Sequence, residues 1–284
     1  IYKSGTVSLT ARKQNLNPVI AHTILSDQVR KVGYICYTDF FGGSQELFFP
    51  VFQNFKNQGI TDIVLDLRYN LGGYLSVASA LSGVLCPVRC LDGNTILITK
   101  SWNDLYQKYW KDNNRNDMLY EYFPKLSETP LNLNLTRLFI LTGHNTASAS
   151  ELIICGLDPY MDVIMVGDVT RGKYTAAMVF HPEEDTQIKN WGTQSIVYKY
   201  ANSLGITDFK DGFTPDYLVE DVLLGDVYPL GDPRETLLAR ALSLAGMNPV
   251  ASPEVHSRIQ LPEVIYEPSF LSRRTGLSHH LIDK

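Results

Sequence analysis

LFILTGHNTASASELIICG, residues 138–156, contains a strand, a turn and a helix in immediate succession. Residues 138–141 form a short apolar run, which is typical of a strand buried on both faces of a parallel sheet. Small and polar residues follow, and a helix is predicted over residues 146–156. A parallel strand that leads into a helix is the repeating unit of α/β proteins, so this segment predicts that class.

The same alternation continues on both sides of this segment. Strands are predicted around 33–37, 63–67, 96–98 and 163–166, and helices over 45–58, from 77 to 85, near 102–110 and over 234–245. Residues 173–220 look more like strands alone. The sequence therefore predicts an α/β fold with a β-rich C-terminal part and right-handed crossovers.

Composition excludes several classes of protein. The chain has 284 residues, 44% of them hydrophobic and 19% charged, which is enough to build a sizeable core. The net charge is -5 and there is no basic block, which argues against a nucleic-acid partner. No apolar run reaches the length of about 18 residues that a membrane span needs. No signal-peptide pattern follows Ile1, so we expect an upstream segment to have been removed.

The four cysteines do not form a recognisable metal or redox motif. Cys86 and Cys90 are separated by three residues rather than two, and no histidine pair completes a zinc site. We expect Cys36, Cys86, Cys90 and Cys155 to be free, mostly buried thiols. A Cys86–Cys90 disulfide in an oxidising compartment is the alternative. Neither a metal nor a cofactor is expected.

Two turns carry residues suited to acyl-transfer chemistry. Ser148, in TASASE, lies at a predicted helix start, where unpaired N–H groups and the helix dipole stabilise negative charge. Alone, this pattern is more often an ordinary helix N-cap. The paired glycines Gly72 and Gly73, in DLRYNLGG, let bare backbone N–H groups face a ligand, although a tight strand-to-helix turn explains them as well.

The third feature is Lys173, which follows Gly172 after a predicted strand. A buried lysine has a lowered pKa and can act as a base near neutral pH, whereas most turn lysines are solvated. Residues 167–173 also match the first seven positions of a P-loop. The eighth position should be Ser or Thr but is Tyr174, and the following residues predict a strand rather than a helix, so we reject nucleotide binding.

In combination, these motifs resemble those of the C-terminal-processing (tail-specific) serine peptidases, an S41-like family of bacterial envelope type. The order strand, DLRxNxGG, strand, TASASE, strand, GK is similar to that family, as is GFTPD at 212–216, and the similarity runs from about residue 33 to 246. The resemblance implies a ClpP/crotonase-like spiral core of stacked ββα units. It also implies a periplasmic or cell-envelope location, which includes a lipoprotein form, and a polypeptide substrate cut near its C-terminus.

The resemblance also assigns the site residues. Ser148 is the nucleophile, Lys173 is its general base, and the oxyanion donors are the N–H groups of Ala149 and Gly73, with Gly72 less favoured. The family glutamine that orients the dyad corresponds to Ala177 here, so that group is absent or comes from elsewhere. His144 is the rival base and Ser150 the rival nucleophile.

The family pattern also gives a domain organisation. Residues 1–12 are interpreted as the remnant of an upstream PDZ-like domain, 13–31 as a linker, 32–247 as the catalytic core and 248–284 as a polar C-terminal extension. A missing N-terminal segment could anchor the protein to a membrane, and the oligomeric state is open. Two alternative functions are a non-catalytic binding module on the same fold and a crotonase-like acyl-CoA enzyme.

Overall fold

A computed structural model describes residues 8, 10–11, 16–182, 190–221 and 228–247, and the backbone of residues 280–281. This part of the chain contains two β-sheets and six α-helices, so the predicted α/β class is confirmed. The elements are β1 (Val19–Ser26), β2 (Lys31–Tyr37), α1 (Gln45–Gln58), β3 (Asp62–Asp66), α2 (Leu75–Leu85), β4 (Ile96–Trp102), α3 (Asp104–Asp112), α4 (Asn116–Leu119), β5 (Tyr120–Tyr122), β6 (Arg137–Thr142), α5 (Ala149–Leu157), β7 (Asp162–Gly167), β8 (Thr175–Phe180), β9 (Thr193–Ala201), β10 (Tyr217–Leu218), α6 (Thr236–Ala245) and β11 (His280–Leu281).

The larger sheet has six strands in the order β1-β2-β3-β6-β7-β10. Every neighbouring pair is parallel except β1 with β2, which is antiparallel. All five residues of β3 are buried, as the continuous apolar run in the sequence predicts for a strand covered on both faces. The carboxyl ends of β3 and β6 lie side by side, so the turns that follow them meet at one edge of the sheet.

The smaller sheet has five strands in the order β11-β8-β9-β4-β5. Its pairs are antiparallel, except that β11 lies parallel to β8 with residue 280 opposite Ala176. This sheet contains most of the predicted β-rich part. Its strand β8 begins two residues after Lys173, so the position of that lysine depends on where β8 docks.

Two hydrophobic cores lie on the two faces of the larger sheet. The first contains α1, α2 and α5 together with buried residues of the smaller sheet, such as Ile98 and Tyr200. The second lies beneath α6, where Leu238 and Ala241 pack against Val64 and Phe139. Because residues of both sheets belong to the first core, the two sheets are held together by shared apolar burial.

Some predicted boundaries differ from the structure. The helix over 45–58 is confirmed, whereas the helix predicted from residue 146 begins at Ala149 and the one predicted from 234 begins at Thr236. The segment 13–31 was expected to be an irregular linker but contains β1, which pairs with β2 along its length. That expectation was wrong for residues 19–26, because Asn15, Asn17 and Pro18 precede the strand rather than interrupt it.

Two predicted segments fall mainly outside the described residues: the remnant of an upstream domain over 1–12 and the polar C-terminal extension over 248–284. All four cysteines are free and buried, as expected. Across the described ranges, none of the helices has the length and apolarity that crossing a bilayer requires.

Candidate active site

Ser148 occupies a sharp turn between β6 and α5. Its backbone has φ 59° and ψ -114°, a conformation that residues other than glycine rarely adopt. The next residue, Ala149, begins the helix. A strained serine on a strand-to-helix turn is the arrangement that exposes a nucleophile in serine hydrolases, where surrounding contacts must hold the strain.

Gly72 provides one of those contacts. It has φ +99°, and a Cβ built on it would lie 2.6 Å from the Ser148 Cβ and 2.8 Å from both Ala147 O and Ala149 N. Only a residue without a side chain allows the two turns to approach this closely. The paired glycines of the sequence are therefore explained first by packing of the DLRYNLGG turn directly against the serine turn.

The Ser148 hydroxyl is buried and has no hydrogen-bond partner within the described part of the chain. Buried polar atoms in folded proteins are nearly always paired, so an unpaired one needs a reason. A hydroxyl kept available for a reaction is one such reason. In the conformation described, the Gly72 turn covers it.

A buried carboxylate fixes the backbone around Ser148 and Lys173. Glu151 Oε2 accepts hydrogen bonds from the backbone N–H of Ser148 at 2.9 Å and of Lys173 at 2.8 Å. Its Oε1 accepts from the Gly172 N–H at 2.6 Å and from the Thr170 hydroxyl at 2.7 Å. Because one oxygen binds both N–H groups, the backbones at 148 and 173 lie next to each other although 25 positions separate them.

Lys173 has an environment that favours its neutral form. Burial lowers the pKa of its amine to about 8, with a further lowering by the charge of Arg171 and an opposing effect from Glu151. The burial of Glu151 raises the pKa of its own carboxyl, and its four hydrogen-bond donors oppose that rise. An amine with a pKa near 8 is partly neutral at neutral pH, so it can accept a proton.

Two backbone N–H groups, on the residue after Gly72 and on the residue after Ser148, are available as hydrogen-bond donors. Neither the Gly73 nor the Ala149 N–H has an acceptor among the residues that the structure describes. The Gly72 N–H, in contrast, donates to Asn70 Oδ1 at 2.8 Å. Free backbone N–H groups of this kind can stabilise a developing negative charge.

The two rival residues have different surroundings. The Ser150 hydroxyl donates to Asn70 O at 3.0 Å and is buried in the first turn of α5. His144 is exposed in the β6–α5 loop and lines a cavity of about 490 Å³ with residues that include Arg68 and Asp168. Among the described residues, no cluster of three His, Cys, Asp or Glu side chains could hold a metal ion.

The first residues of the DLRYNLGG motif form a buried ion-pair network. Arg68 makes two hydrogen bonds to Glu235, of 2.9 and 3.0 Å, and also bonds Asp66. The carboxylate of Asp66 further accepts from the Tyr34 hydroxyl at 2.8 Å. This network fixes Arg68 and the end of β3, which come shortly before the Gly72 that contacts Ser148.

The sequence did not assign roles to Glu151, Glu235 or Tyr200. Glu151 had a local signal, because a Ser followed three residues later by Glu is a capping-box pattern. Glu235 had no such signal, since its partner Arg68 lies 167 positions away.

Comparisons with known proteins agree with the motifs. The profile of peptidase family S41 matches residues 31–219. A carboxyl-terminal-processing protease of Picosynechococcus is 25% identical over an alignment of 237 residues that covers 78% of this chain and 51% of that protein. A protease of the same description from Synechocystis is 24% identical and covers 76% of this chain and 44% of its own length. The chain thus spans about half the length of the curated relatives it matches.

Solved structures show the same fold. A Bacteroides fragilis protein assigned to the S41 proteases superposes with a TM-score of 0.69 at 28% identity, over 83% of this chain and 59% of that one. The photosystem II D1 C-terminal processing protease gives a TM-score of 0.53 at 19% identity, over 74% of this chain and 50% of that one, which supports the fold alone. The family profile covers more than half of the chain, and the chain therefore belongs to peptidase family S41.

Proposed function

We propose that this chain is the catalytic part of a serine endopeptidase in which Ser148 and Lys173 form the dyad. The observation that carries the proposal is the shared Glu151 oxygen, which places the backbones of a strained serine and a lysine of lowered pKa side by side. Nucleophile, base and free N–H donors are the three parts that peptide hydrolysis requires.

In the proposed reaction, neutral Lys173 removes the proton from the Ser148 hydroxyl as its oxygen attacks a peptide carbonyl carbon. The N–H groups of Gly73 and Ala149 bind the oxyanion that forms, and losing one such donor costs about 3–4 kcal/mol of transition-state stabilisation. Protonated Lys173 then gives its proton to the leaving amine as the C–N bond breaks. Water then attacks the acyl carbonyl as Lys173 takes its proton, and Lys173 returns that proton to Ser148 Oγ as the ester bond breaks and the acid product leaves.

Access to the serine has to change during turnover. Ser148 is fully buried beneath the Gly72 turn in the conformation described. A peptide carbonyl reaches Ser148 Oγ only after that turn moves aside, and the Gly73 N–H moves with it because Gly73 is the next residue of the turn. Substrate binding and assembly of the oxyanion hole are therefore coupled in this proposal.

The relatives' names suggest the substrate. Proteins described as carboxyl-terminal-processing proteases match about three quarters of this chain, so we propose a polypeptide cut near its C-terminus, in an envelope compartment. For the whole protein we keep the spiral core of stacked ββα units, the PDZ-like remnant over 1–12 and membrane anchoring through an upstream segment as proposals. The described part of the linker and the core is one packed unit, so we extend the proposed catalytic core to start at β1.

The test is peptide hydrolysis together with labelling by a fluorophosphonate probe. We expect wild-type protein to hydrolyse a peptide and to carry the label on Ser148, as located by mass spectrometry, and Ser148→Ala and Lys173→Ala to lose hydrolysis. Ser150→Ala, the same substitution two residues later, is the matched control and should still label at Ser148. Full hydrolysis by folded Ser148→Ala would disprove the proposal.

The same experiment addresses the two alternatives. A binding module would not label at all, and a crotonase-like enzyme would bind an acyl-CoA ester while leaving Ser148 unlabelled. Labelling at Ser148 with peptide turnover excludes both.

A further inference from the structure

Ala177 stands where the family pattern has a glutamine that orients the dyad. The orienting glutamine of the family would lie four residues after the lysine, at a position that is a buried alanine in β8. A methyl group neither donates nor accepts a hydrogen bond, so it cannot orient an amine or a hydroxyl. Another residue must hold Ser148 and Lys173 in register if the dyad works.

Tyr200 lies where such a residue is needed. Its hydroxyl is 3.2 Å from the backbone oxygen of Ser148 and 3.2 Å from the backbone oxygen of Lys173. One hydroxyl proton is thus within reach of carbonyl groups on both members of the proposed dyad. Glu151 joins the same two residues through their N–H groups, so the two contacts act on opposite polar groups of each peptide backbone.

Strand β9 delivers this hydroxyl to the site. The Tyr200 N–H donates to Tyr174 O at 3.0 Å, which fixes β9 against the residue that follows Lys173. The ring packs edge-on against Phe209 with a centroid distance of 5.8 Å. The side chain is fully buried, so its hydroxyl has one fixed position rather than a choice of solvent contacts.

The hydroxyl remains a donor throughout the pH range of a peptidase assay. Burial, reinforced by the negative charge of Glu151, raises the pKa of Tyr200 well above its ordinary value. It is therefore protonated wherever Lys173 titrates, and a change in the pH profile of a Tyr200 variant reports on the lysine and not on the tyrosine.

We infer that Tyr200 is the positioning residue of the Ser148–Lys173 dyad in this chain, supplied by β9 in place of a side chain at position 177. The inference rests on the proposed peptidase function. Tyr200 touches neither substrate nor reacting atoms in this role; it acts by holding the two carbonyl groups and hence the two side chains that extend from the same residues.

Tyr198 provides a matched control on the same strand. It is also a buried tyrosine, two residues earlier and on the same face, and its ring packs against Trp102 at 5.1 Å. Within the described residues its hydroxyl makes no hydrogen bond to Ser148 or Lys173. Tyr198→Phe therefore removes an equivalent atom from the same sheet without touching the dyad.

The experiment compares Tyr200→Phe, Tyr198→Phe and wild type in peptide hydrolysis between pH 6 and 10, with unfolding in urea measured for each. For Tyr200→Phe we expect kcat to fall about tenfold with little change in KM, as for the loss of one positioning hydrogen bond. The acidic limb of its kcat/KM profile should move to higher pH, because a less firmly held Lys173 gains water. The charged groups facing that amine, Glu151 and Arg171, are unchanged in the variant. Tyr198→Phe should match wild type in kcat and in the acidic limb of its kcat/KM profile.

Two results would overturn the inference. One is a folded Tyr200→Phe protein whose kcat and whose acidic limb of the kcat/KM profile both match wild type. The other is an equal fall in kcat in both tyrosine variants that parallels an equal fall in their free energy of unfolding. Ser148→Ala distinguishes failure of the Tyr200 inference from failure of the proposed function. If Ser148→Ala still hydrolyses peptide, the dyad itself is refuted. If Tyr200→Phe does not fold, p-aminophenylalanine at position 200 keeps a donor in the same place. That protein should retain wild-type kcat, and a folded but inactive one contradicts the inference.

Discussion

Lys173 and Glu151 show how single residues set the chemistry of this site. The amine is held where burial disfavours its charge, while the carboxylate that lies nearby is occupied by four donors and opposes that effect only in part. The balance leaves a lysine whose pKa is close to the pH at which it would work, as efficient general bases require.

The pH dependence of hydrolysis follows from that pKa. Because only neutral Lys173 can accept a proton, kcat/KM should rise with pH and level off above about 8, the pKa of the amine. Below it the rate constant should fall about tenfold per pH unit. Lys199→Met, which alters an exposed lysine, should show the same rise of kcat/KM with pH as wild type. A profile that levels off well below pH 8 would contradict Lys173 as the base.

Gly72 is the residue whose substitution should damage the site most directly. In Gly72→Ala the new methyl group meets Ser148 and two backbone atoms at less than 3 Å, in a backbone with φ +99°. We expect a loss of at least about 3 kcal/mol in the free energy of unfolding, together with loss of fluorophosphonate labelling.

Gly59→Ala is the control for Gly72→Ala. Gly59 also has positive φ, +62°, but a Cβ there meets nothing within 4 Å. It should cost about 1–2 kcal/mol and leave labelling intact. If both variants lose the same stability and both still label, the close contact between the two turns has been misjudged.

For single residues, the sequence predicted secondary-structure position better than it predicted tertiary hydrogen-bond partners. It predicted that Ser148 lies at a helix start, and Ser148 is the N-cap of α5, whereas the roles it gave Ser148 and Lys173 stay predictions. Glu151 could be recognised only as a capping residue, because the N–H groups of Gly172 and Lys173 reach it through the tertiary fold. Tyr200 could not be recognised at all, since nothing local distinguishes it from Tyr198.

Among the elements, α6 is connected to the candidate site through the residue that caps its N-terminus. Its N-cap is Glu235, whose carboxylate accepts from the Leu238 N–H at 2.9 Å and binds Arg68 through both oxygens. Burial opposes the charged form of Glu235, but the hydrogen bonds and charge of Arg68 outweigh it and lower the pKa of that carboxyl. Helix α6, which lies beyond the residues matched by the family profile, is thereby tied to Arg68 at the start of the motif whose glycine turn covers Ser148.

Glu235→Gln tests that connection. Breaking a buried ion pair costs about 3–5 kcal/mol, so the free energy of unfolding at pH 7 should fall by that amount in urea. Because the pKa of Glu235 is lowered in the folded state, the stabilisation is present at neutral pH and is lost as pH falls through the folded-state value. Wild type and variant should therefore converge in acid.

Asp112→Asn is the control for the ion pair. It removes an exposed pair with Lys108 at 2.6 Å on α3, where such pairs contribute less than about 1 kcal/mol. Equal losses in the two variants would mean that the Arg68–Glu235 pair contributes no more than a surface contact.

The helix start at Thr236 also shows why local rules misplace boundaries. Asp232 and Pro233 predict a start near residue 234, since proline is favoured in the first helical turn. The helix instead begins after Glu235, because that carboxylate is held by Arg68 from another part of the chain. The short apolar strands were predicted closely, since burial on both faces leaves a continuous apolar run that needs no partner to be recognised.

At the scale of the whole molecule, the site lies where the two sheets meet. The larger sheet contributes the turns after β3 and β6, with the glycines and Ser148, and the smaller sheet contributes Lys173 before β8 and Tyr200 on β9. Both sheets share one hydrophobic core, so their relative position is fixed by burial and the geometry of the site depends on it.

Strand β1 belongs to this packed unit, although the sequence suggested a linker. Ile24 is partly buried against the first core, whereas Ile20 on the same strand is half exposed. Ile24→Lys should therefore lower the free energy of unfolding by about 2 kcal/mol, and Ile20→Lys should change it by less than about 0.5 kcal/mol. Urea unfolding measures both, and indifference to Ile24→Lys would restore the linker interpretation.

The Glu151 oxygen that binds the N–H groups of Ser148 and Lys173 has a consequence for the unfolded chain. A carboxylate binds those two N–H groups only after water has been expelled from around it, which requires α5 and the segment leading into β8 to have docked. A chain that has not yet folded contains every reactive residue but no assembled site. In the proposed peptidase, completion of folding is thus itself the activation step, and neighbouring unfolded polypeptides are safe from it until then.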